Sequence, residues 1–345
     1  MSYDERRQDS GGRHPDVNEL PDADYGALAA KAFVLRRDVL DMIYRSKGGH
    51  FGGDFSVMET LVTLYWIHMN TSPENIGSPE RDRFILSKGH CVAALYAVLC
   101  DKGFFPKADL ETFSEFGSKY IGHPNNQVSG IEMNSGSLGH GLSVGAGMAL
   151  AGKMDCAGYR VYVVMGDGEL AEGSVWEGAM AAGHYKLDNL TAIIDRNRLQ
   201  ISGCTEDIMA QDSLFGRWSS FNWNVLEANG NDIKALDYAV RKAKACKGRP
   251  TVIIASTVKG YGYSEAENIA AWHHKVPDER QYSAATAELR RREADQLRAG
   301  SPAADADPPG AGSPAADAGP PGAGSPAAET GPPGADAVVE AESAI

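Results

Sequence analysis

Two strand-like runs end in groups that could hold a divalent cation and a phosphate. VYVVMGDGELAEG closes in Gly166-Asp167-Gly168-Glu169, and the next such run, AIID, closes in Arg196-Asn197-Arg198-Leu199. Glycines on either side of Asp167 let the chain turn sharply and bring backbone N–H groups close to a phosphate, while Asp167 offers a hard oxygen ligand. Asn197, thirty residues on, offers a carbonyl oxygen to the same ion. Mg²⁺ takes octahedral oxygen and keeps ligands from a bound phosphate compound, so Asp167, Asn197, one backbone carbonyl and a pair of diphosphate oxygens make a sensible shell. Gly-Asp-Gly alone is equally the composition of a tight turn. The matching strand end at Asn197 is what favours the ion.

A second constellation consists of histidines beside glycine: Gly49-His50, Gly89-His90, Gly122-His123-Pro124 and Gly139-His140, followed by Trp272-His273-His274. Glycine lets the backbone pass close to a ligand, and imidazole both gives and takes a proton near neutral pH. A lone histidine is more often a structural residue, but five such junctions at loop positions point to a shared site. They lack a spacing such as H-E-x-x-H, which disfavours zinc.

Such groups need a scaffold that brings strand ends together. Apolar residues repeat at helical spacing over 28–44 and 57–67, and short apolar runs at 83–87, 160–167, 190–197, 223–229 and 251–257 read as buried parallel strands. Helical stretches near 140–154, 172–186 and 232–246 separate most of them. This alternation is that of a doubly wound, mostly parallel α/β sheet flanked by helices, in which ligands bind beyond the carboxyl ends of the strands.

The chain has 345 residues and a formal charge of −13. Residues 1–24 hold seven acids and three bases, and 299–345 hold seven acids and no base, which leaves a nearly neutral 25–298 with 32 acids and 30 bases. That portion is long enough for a core without disulfides and offers no global field for nucleic acid or anionic lipid. Five widely spaced cysteines without a C-x-x-C pair argue for reduced thiols in a cytoplasmic protein. No signal peptide or membrane span is expected. From Ala299 to Gly334, AGSPAADADPPG, AGSPAADAGPPG and AGSPAAETGPPG follow one another. Their composition reads as a disordered spacer, as does that of the N-terminal extension. It serves either as a tether or as an inert extension.

KGGHFGGDFS, RDRFILSKGH, IGHP, NSGSLGHGLSVGAGMAL, GDGELAEGSVWE followed by Asn197 after nineteen intervening residues, and VKGYGYSEAENIAAWHH resemble, in order, the signature segments of the diphosphate-binding domain of transketolase. The resemblance covers about residues 25–282. It implies the N-terminal subunit of a split transketolase, dependent on thiamine diphosphate and Mg²⁺ (or Ca²⁺ or Mn²⁺), that moves a two-carbon ketol unit from a ketose (phosphate) donor to an aldehyde. It implies a partner subunit with the pyrimidine-binding half, in an α₂β₂ assembly. By the same resemblance Asp167, Asn197 and the Leu199 carbonyl match metal ligands. His90, Gly136, Ser137, Leu138, Gly168, Glu169, Asn197 and His273 match cofactor contacts. His50 and His273 match proton carriers, His123 a hydroxyl-binding imidazole, and Glu172 and Glu177 acids that link paired sites.

The family commonly has other residues where Phe51, Asp54, His140 and His274 stand here. Phe51 and Asp54 are expected to add bulk and charge near the pocket, and His273 competes with His274 for the catalytic role. Two alternatives to sugar-phosphate chemistry stay open. One is a pathway-specific ketol or acyl transferase with a non-sugar or carrier-bound acceptor, and the other is a non-catalytic scaffold of the same fold.

Overall fold

A computed structural model describes residues 23–211 and 213–300; the expected spacer and most of the N-terminal extension lie outside them. The chain opens with α1 (Tyr25–Ser46), capped by the Asp24 carboxylate, which accepts from the Ala27 N–H at 2.9 Å. Next come α2 (Phe51–Ser56), α3 (Met58–Thr63) with a π turn over Leu64–His68, β1 (Arg83–Leu86) and α4 (Val92–Asp101). The middle holds α5 (Gly141–Met154), β2 (Val161–Gly166), α6 (Gly173–His184), β3 (Leu190–Arg196), a hairpin of β4 (Leu199–Gln200) and β5 (Gly203–Cys204), and a single turn, α7 (Thr205–Ile208). The last elements are α8 (Leu214–Ser220), β6 (Asn224–Asn229), α9 (Ile233–Ala245), β7 (Thr251–Ser256) and α10 (Glu279–Gly300).

The five main strands form one all-parallel sheet in the order β1-β2-β3-β7-β6. Side chains alternate between its faces, as the pleat requires. Ile85, Val163, Ile194 and Val252 join α5, α6 and α8 in one core, while Leu86, Val164, Ile193 and Ile253 join α1, α3, α4, α9 and α10 in the other. Helices on both faces make the sheet doubly wound, as the sequence predicts. One expectation fails: the run at 223–229 is a buried strand by pattern, but β6 is the sheet edge, with Glu227 and Asn229 exposed.

Besides the short α7 and α8, three helices escape the sequence pattern. α4 is apolar almost all round, and eight of its residues are buried, so it shows no polar face. α2 is only one and a half turns of fully buried residues. α10 is rich in charge and contributes few core side chains, Ala285 and Leu289 among them. It is held along α1 by the Tyr282 hydroxyl on Asp41 at 2.6 Å, a Tyr44–Tyr282 stack and an Arg37–Glu293 pair. None of the described helices is long and apolar enough to cross a membrane.

Candidate active site

The carboxyl ends of β1, β2, β3 and β7 deliver the polar groups. Asp167 follows β2 directly, 2% exposed, and its carboxylate accepts from the Gly168 N–H at 2.8 Å, the Arg198 N–H at 2.5 Å and Arg196 Nη1 at 3.2 Å. Burial and the neighbouring Asp195 charge push its carboxyl above the usual range. A divalent cation would relieve that penalty on the ionised form. Asn197 follows β3, 7% exposed, with Oδ1 accepting from the Leu199 N–H at 3.1 Å. The Leu199 carbonyl accepts from Lys259 Nζ at 3.0 Å. A carboxylate, a side-chain amide and a backbone carbonyl form the hard, all-oxygen donor set that Mg²⁺ takes.

Beside these groups the glycine-flanked histidines converge. The His50 ring centroid lies 5.1 Å from His90, 5.9 Å from His123, 5.5 Å from His273 and 4.2 Å from His274, and His90 lies 5.3 Å from His273. His50 caps α2, His90 sits in a 3-10 turn after β1, and His273 ends another. A side chain on Gly53 would run into Cys91 Sγ at 2.6 Å and His90 Nε2 at 3.3 Å, so the small residue lets α2 approach the His90 turn. Gly136 has φ +143°, and a Cβ there would come within 2.9 Å of the His123 ring. Glycine is therefore required where the Gly136-Ser137-Leu138 segment passes His123.

Burial pulls His50 down to about 4, assisted by repulsion from His274 and His123. Burial also takes His273 down to about 3, with Lys259 and His274 adding to it. His90 falls well below its ordinary range, through burial and the nearby Lys88 charge, and burial lowers His123. All four are neutral near pH 7 and can exchange protons with a ligand. Lys259 Nζ is 2.9 Å from His273 Nδ1. With the ammonium donating to Nδ1, the ring proton of His273 lies on Nε2. This contact distinguishes His273 from the exposed His274.

Three buried charges escape sequence reading. Lys88 and Asp195, each with a side chain 1% exposed, are paired; Asp195 also accepts from Ser56 Oγ at 2.5 Å and from Thr257. Burial opposes the Lys88 charge, but Asp195 overrides it and holds the ammonium above its ordinary pKa. Lys259, 1% exposed, is lowered to about 8 by burial and the Lys88 charge. The available signal was a pair of Lys-Gly steps, in SKGH and VKGYG.

The remaining candidates divide. Gly168 packs against Gln200, where a Cβ would meet Oε1 at 2.7 Å. The Glu169 carboxylate is occupied by the protein itself, accepting from Ser87 Oγ, the Gly139 N–H at 2.8 Å and the Gly166 N–H at 3.1 Å. It ties β1, β2 and the Gly139 turn together. Glu172 and Glu177 are exposed, at the start and on the outer face of α6. His140 is also exposed and its Nδ1 donates to the Leu138 carbonyl at 3.1 Å, outside the imidazole cluster. The expectation for Phe51 and Asp54 is corrected. Phe51 is fully buried, stacked on Phe55 at 3.9 Å and against Trp272. Asp54 is fully buried too, with Oδ1 accepting from the Ala94 N–H at 2.9 Å. Helix α2 turns both inward, beneath the site. A cavity of about 530 Å³ at the start of α1 is lined by none of the candidate residues.

Comparison with known proteins identifies the family. Residues 29–289 match the thiamine diphosphate binding domain of transketolase. The chain is 50% identical over 257 residues to one of the subunits of an apulose-4-phosphate transketolase from Phocaeicola vulgatus, covering 74% of this chain and 92% of that protein. It is 41% identical to a 6-deoxy-6-sulfo-D-fructose transketolase subunit of a Clostridium species, covering 76% and 96%. Among solved structures it resembles transketolase from Campylobacter jejuni with a TM-score of 0.71 and 28% identity, over 79% of this chain and 46% of that one. A Pichia stipitis transketolase complexed with sedoheptulose 7-phosphate gives a TM-score of 0.70 at 29% identity, over 79% and 45%. The chain therefore spans under half the length of these solved transketolases.

Proposed function

The chain belongs to the transketolase family, as its thiamine diphosphate binding domain, and from that premise we propose that it is the cofactor-gripping subunit of a split, two-component transketolase. The observation that carries the proposal is the meeting of two groups through one side chain. Lys259 reaches both the Leu199 carbonyl, beside Asp167 and Asn197, and His273 within the imidazole cluster.

When bound, thiamine diphosphate supplies the electron sink that stabilises a two-carbon carbanion equivalent. Asp167, Asn197 and the Leu199 carbonyl are the residues that would hold Mg²⁺. Gly168, His90, Lys259 and the Gly136-Ser137-Leu138 segment would hold the diphosphate side of the cofactor. His50 and His273, neutral and adjacent, take and return protons at the substrate hydroxyl and carbonyl oxygens. His123 binds a substrate hydroxyl. Closely packed imidazoles at fixed positions spare the reaction the cost of orienting each group separately.

The donor in this reading is a ketose phosphate and the acceptor an aldehyde, in keeping with the sugar substrates in the names of the relatives. The pyrimidine half of the cofactor falls to a partner subunit in an α₂β₂ assembly in the cytoplasm. The surface suits such a partner: Val144 on α5 and Met180 on α6 are exposed apolar side chains, and Glu172 and Glu177 are exposed at the start and along α6. In the decisive experiment, two-carbon transfer from a ketose phosphate to an aldehyde is measured with the chain alone and with its co-purified partner. Transfer requiring partner, thiamine diphosphate and Mg²⁺ together is expected. Turnover by the chain alone, or by the pair without thiamine diphosphate, contradicts the proposal.

A further inference from the structure

His274 is the imidazole that the proposed reaction does not use, yet it stands closest to one that the reaction does. Its ring centroid is 4.2 Å from that of His50 and 4.6 Å from that of His273. One ring nitrogen from each of His50, His273 and His274 lies within 4.8 Å of the others. Four-coordinate zinc with Zn–N bonds of about 2.0–2.1 Å needs nitrogens roughly 3.3 Å apart, so side-chain rotations closing about 1.5 Å would complete such a set. His274 is exposed and has the freedom to make that adjustment. Lys259 stands on Nδ1 of His273, so an ion at Nε2 releases the Nε2 proton to solvent while Lys259 hands one of its own to Nδ1, and the ring stays a neutral, singly protonated imidazole.

We propose that His50, His273 and His274 form a three-imidazole site for a borderline-soft divalent ion of the Zn²⁺ class, and that its occupancy inhibits the enzyme. Nitrogen donors select this ion over Mg²⁺, just as the oxygen set at Asp167, Asn197 and Leu199 selects Mg²⁺. Three protein ligands leave the fourth position to water. The site differs from a catalytic zinc centre in its consequence: the ion ties up His50 and His273, the groups that move protons. The proton that Lys259 must give up limits affinity, so the site fills only when the ion is in excess of what its competitors hold.

The test titrates Zn²⁺ and, separately, Co²⁺ into the full chain with Mg²⁺ in excess. Calorimetry is expected to give one Zn²⁺ per chain, and Co²⁺ to show the intense visible absorption of tetrahedral coordination. His274→Ala, His50→Ala and His273→Ala should each weaken Zn²⁺ binding at least about tenfold, with His140→Ala unchanged. His274 is on the surface, so its variant reports on the ion and not on folding. In the assembled enzyme, Zn²⁺ should slow ketol transfer more in the wild type than in His274→Ala. Undiminished Zn²⁺ affinity in His274→Ala, an octahedral Co²⁺ spectrum, or binding without any inhibition would overturn the proposal. Ion binding is read without turnover, so its failure leaves the assignment as one half of a split transketolase intact.

Discussion

Lys259 Nζ stands 2.9 Å from His273 Nδ1, and the same nitrogen reaches the Leu199 carbonyl at 3.0 Å. One buried cation thereby sets the separation between the oxygen groups after β2 and β3 and the imidazoles around His50. It reaches both because Gly52 admits it: a Cβ at Gly52 would lie 2.9 Å from the Lys259 side chain, and the Gly260 N–H donates to the Gly52 carbonyl at 3.0 Å.

Lys259→Met removes the charge and both hydrogen bonds while keeping most of the side-chain volume. Thiamine diphosphate affinity in the assembled enzyme is expected to fall about 10–100-fold, the range for losing a charge-assisted bond. Equilibrium titration of the cofactor checks this, and unchanged affinity would remove Lys259 from the binding group.

His50→Ala separates proton transfer from cofactor binding. The turnover number is expected to drop by about 10²–10⁴, the usual contribution of a positioned acid or base, with Mg²⁺-dependent cofactor affinity retained. Steady-state kinetics beside calorimetry reads the two effects independently.

Asp54 makes stability depend on pH. Burial raises its carboxyl from 3.8 to about 7, and Oδ2 has no hydrogen-bond partner. Between those values the native protein keeps a proton that the unfolded chain has released. The contribution of Asp54 to unfolding free energy therefore declines as pH rises from about 4 to about 7 and is level above. In Asp54→Asn this slope is absent. Urea unfolding of both proteins near pH 5 and near pH 7.5 should show the wild type losing on the order of 2 kcal/mol more than the variant. Parallel pH profiles would show that Asp54 is ionised throughout.

Met180→Glu tests the partner surface. Met180 is 57% exposed on α6, so a carboxylate there leaves the fold of the chain intact but must be desolvated on assembly. Sedimentation velocity is expected to show at least about tenfold weaker association with the partner. An unchanged complex would place the interface elsewhere.

What the sequence revealed follows from which forces are local. The runs ending at Gly166 and Arg196 are legible because parallel strands buried on both faces are continuously apolar, and a turn at their carboxyl ends puts Asp167 and Asn197 side by side. His50, His90 and His123 are legible through their glycine neighbours, although Gly139-His140 has the same pattern and lies outside the cluster. Lys88, Asp195 and Lys259 were not, because each finds its partners on distant segments of the chain, which no local pattern encodes. Asp195 reads as one polar letter at the end of an apolar strand until Lys88 is placed against it. The scaffold role of Glu169 is hidden for a related reason: its carboxylate satisfies three donors that come from β1, β2 and the Gly139 turn. Phe51 and Asp54 lie next to His50 in sequence, yet the helix beginning at Phe51 turns both into the core beneath the site.

The central assignment rests on Asp167, and calorimetric titration of thiamine diphosphate into the assembled enzyme, with and without Mg²⁺, tests it most directly. The wild type should bind the cofactor only weakly without Mg²⁺ and tightly with it. Asp167→Asn keeps the size and one acceptor oxygen but removes the charge, and should lower the Mg²⁺-dependent affinity at least about 100-fold while the far-ultraviolet circular dichroism stays that of the native fold. Equal affinity in wild type and variant, or binding indifferent to Mg²⁺, would contradict the assignment.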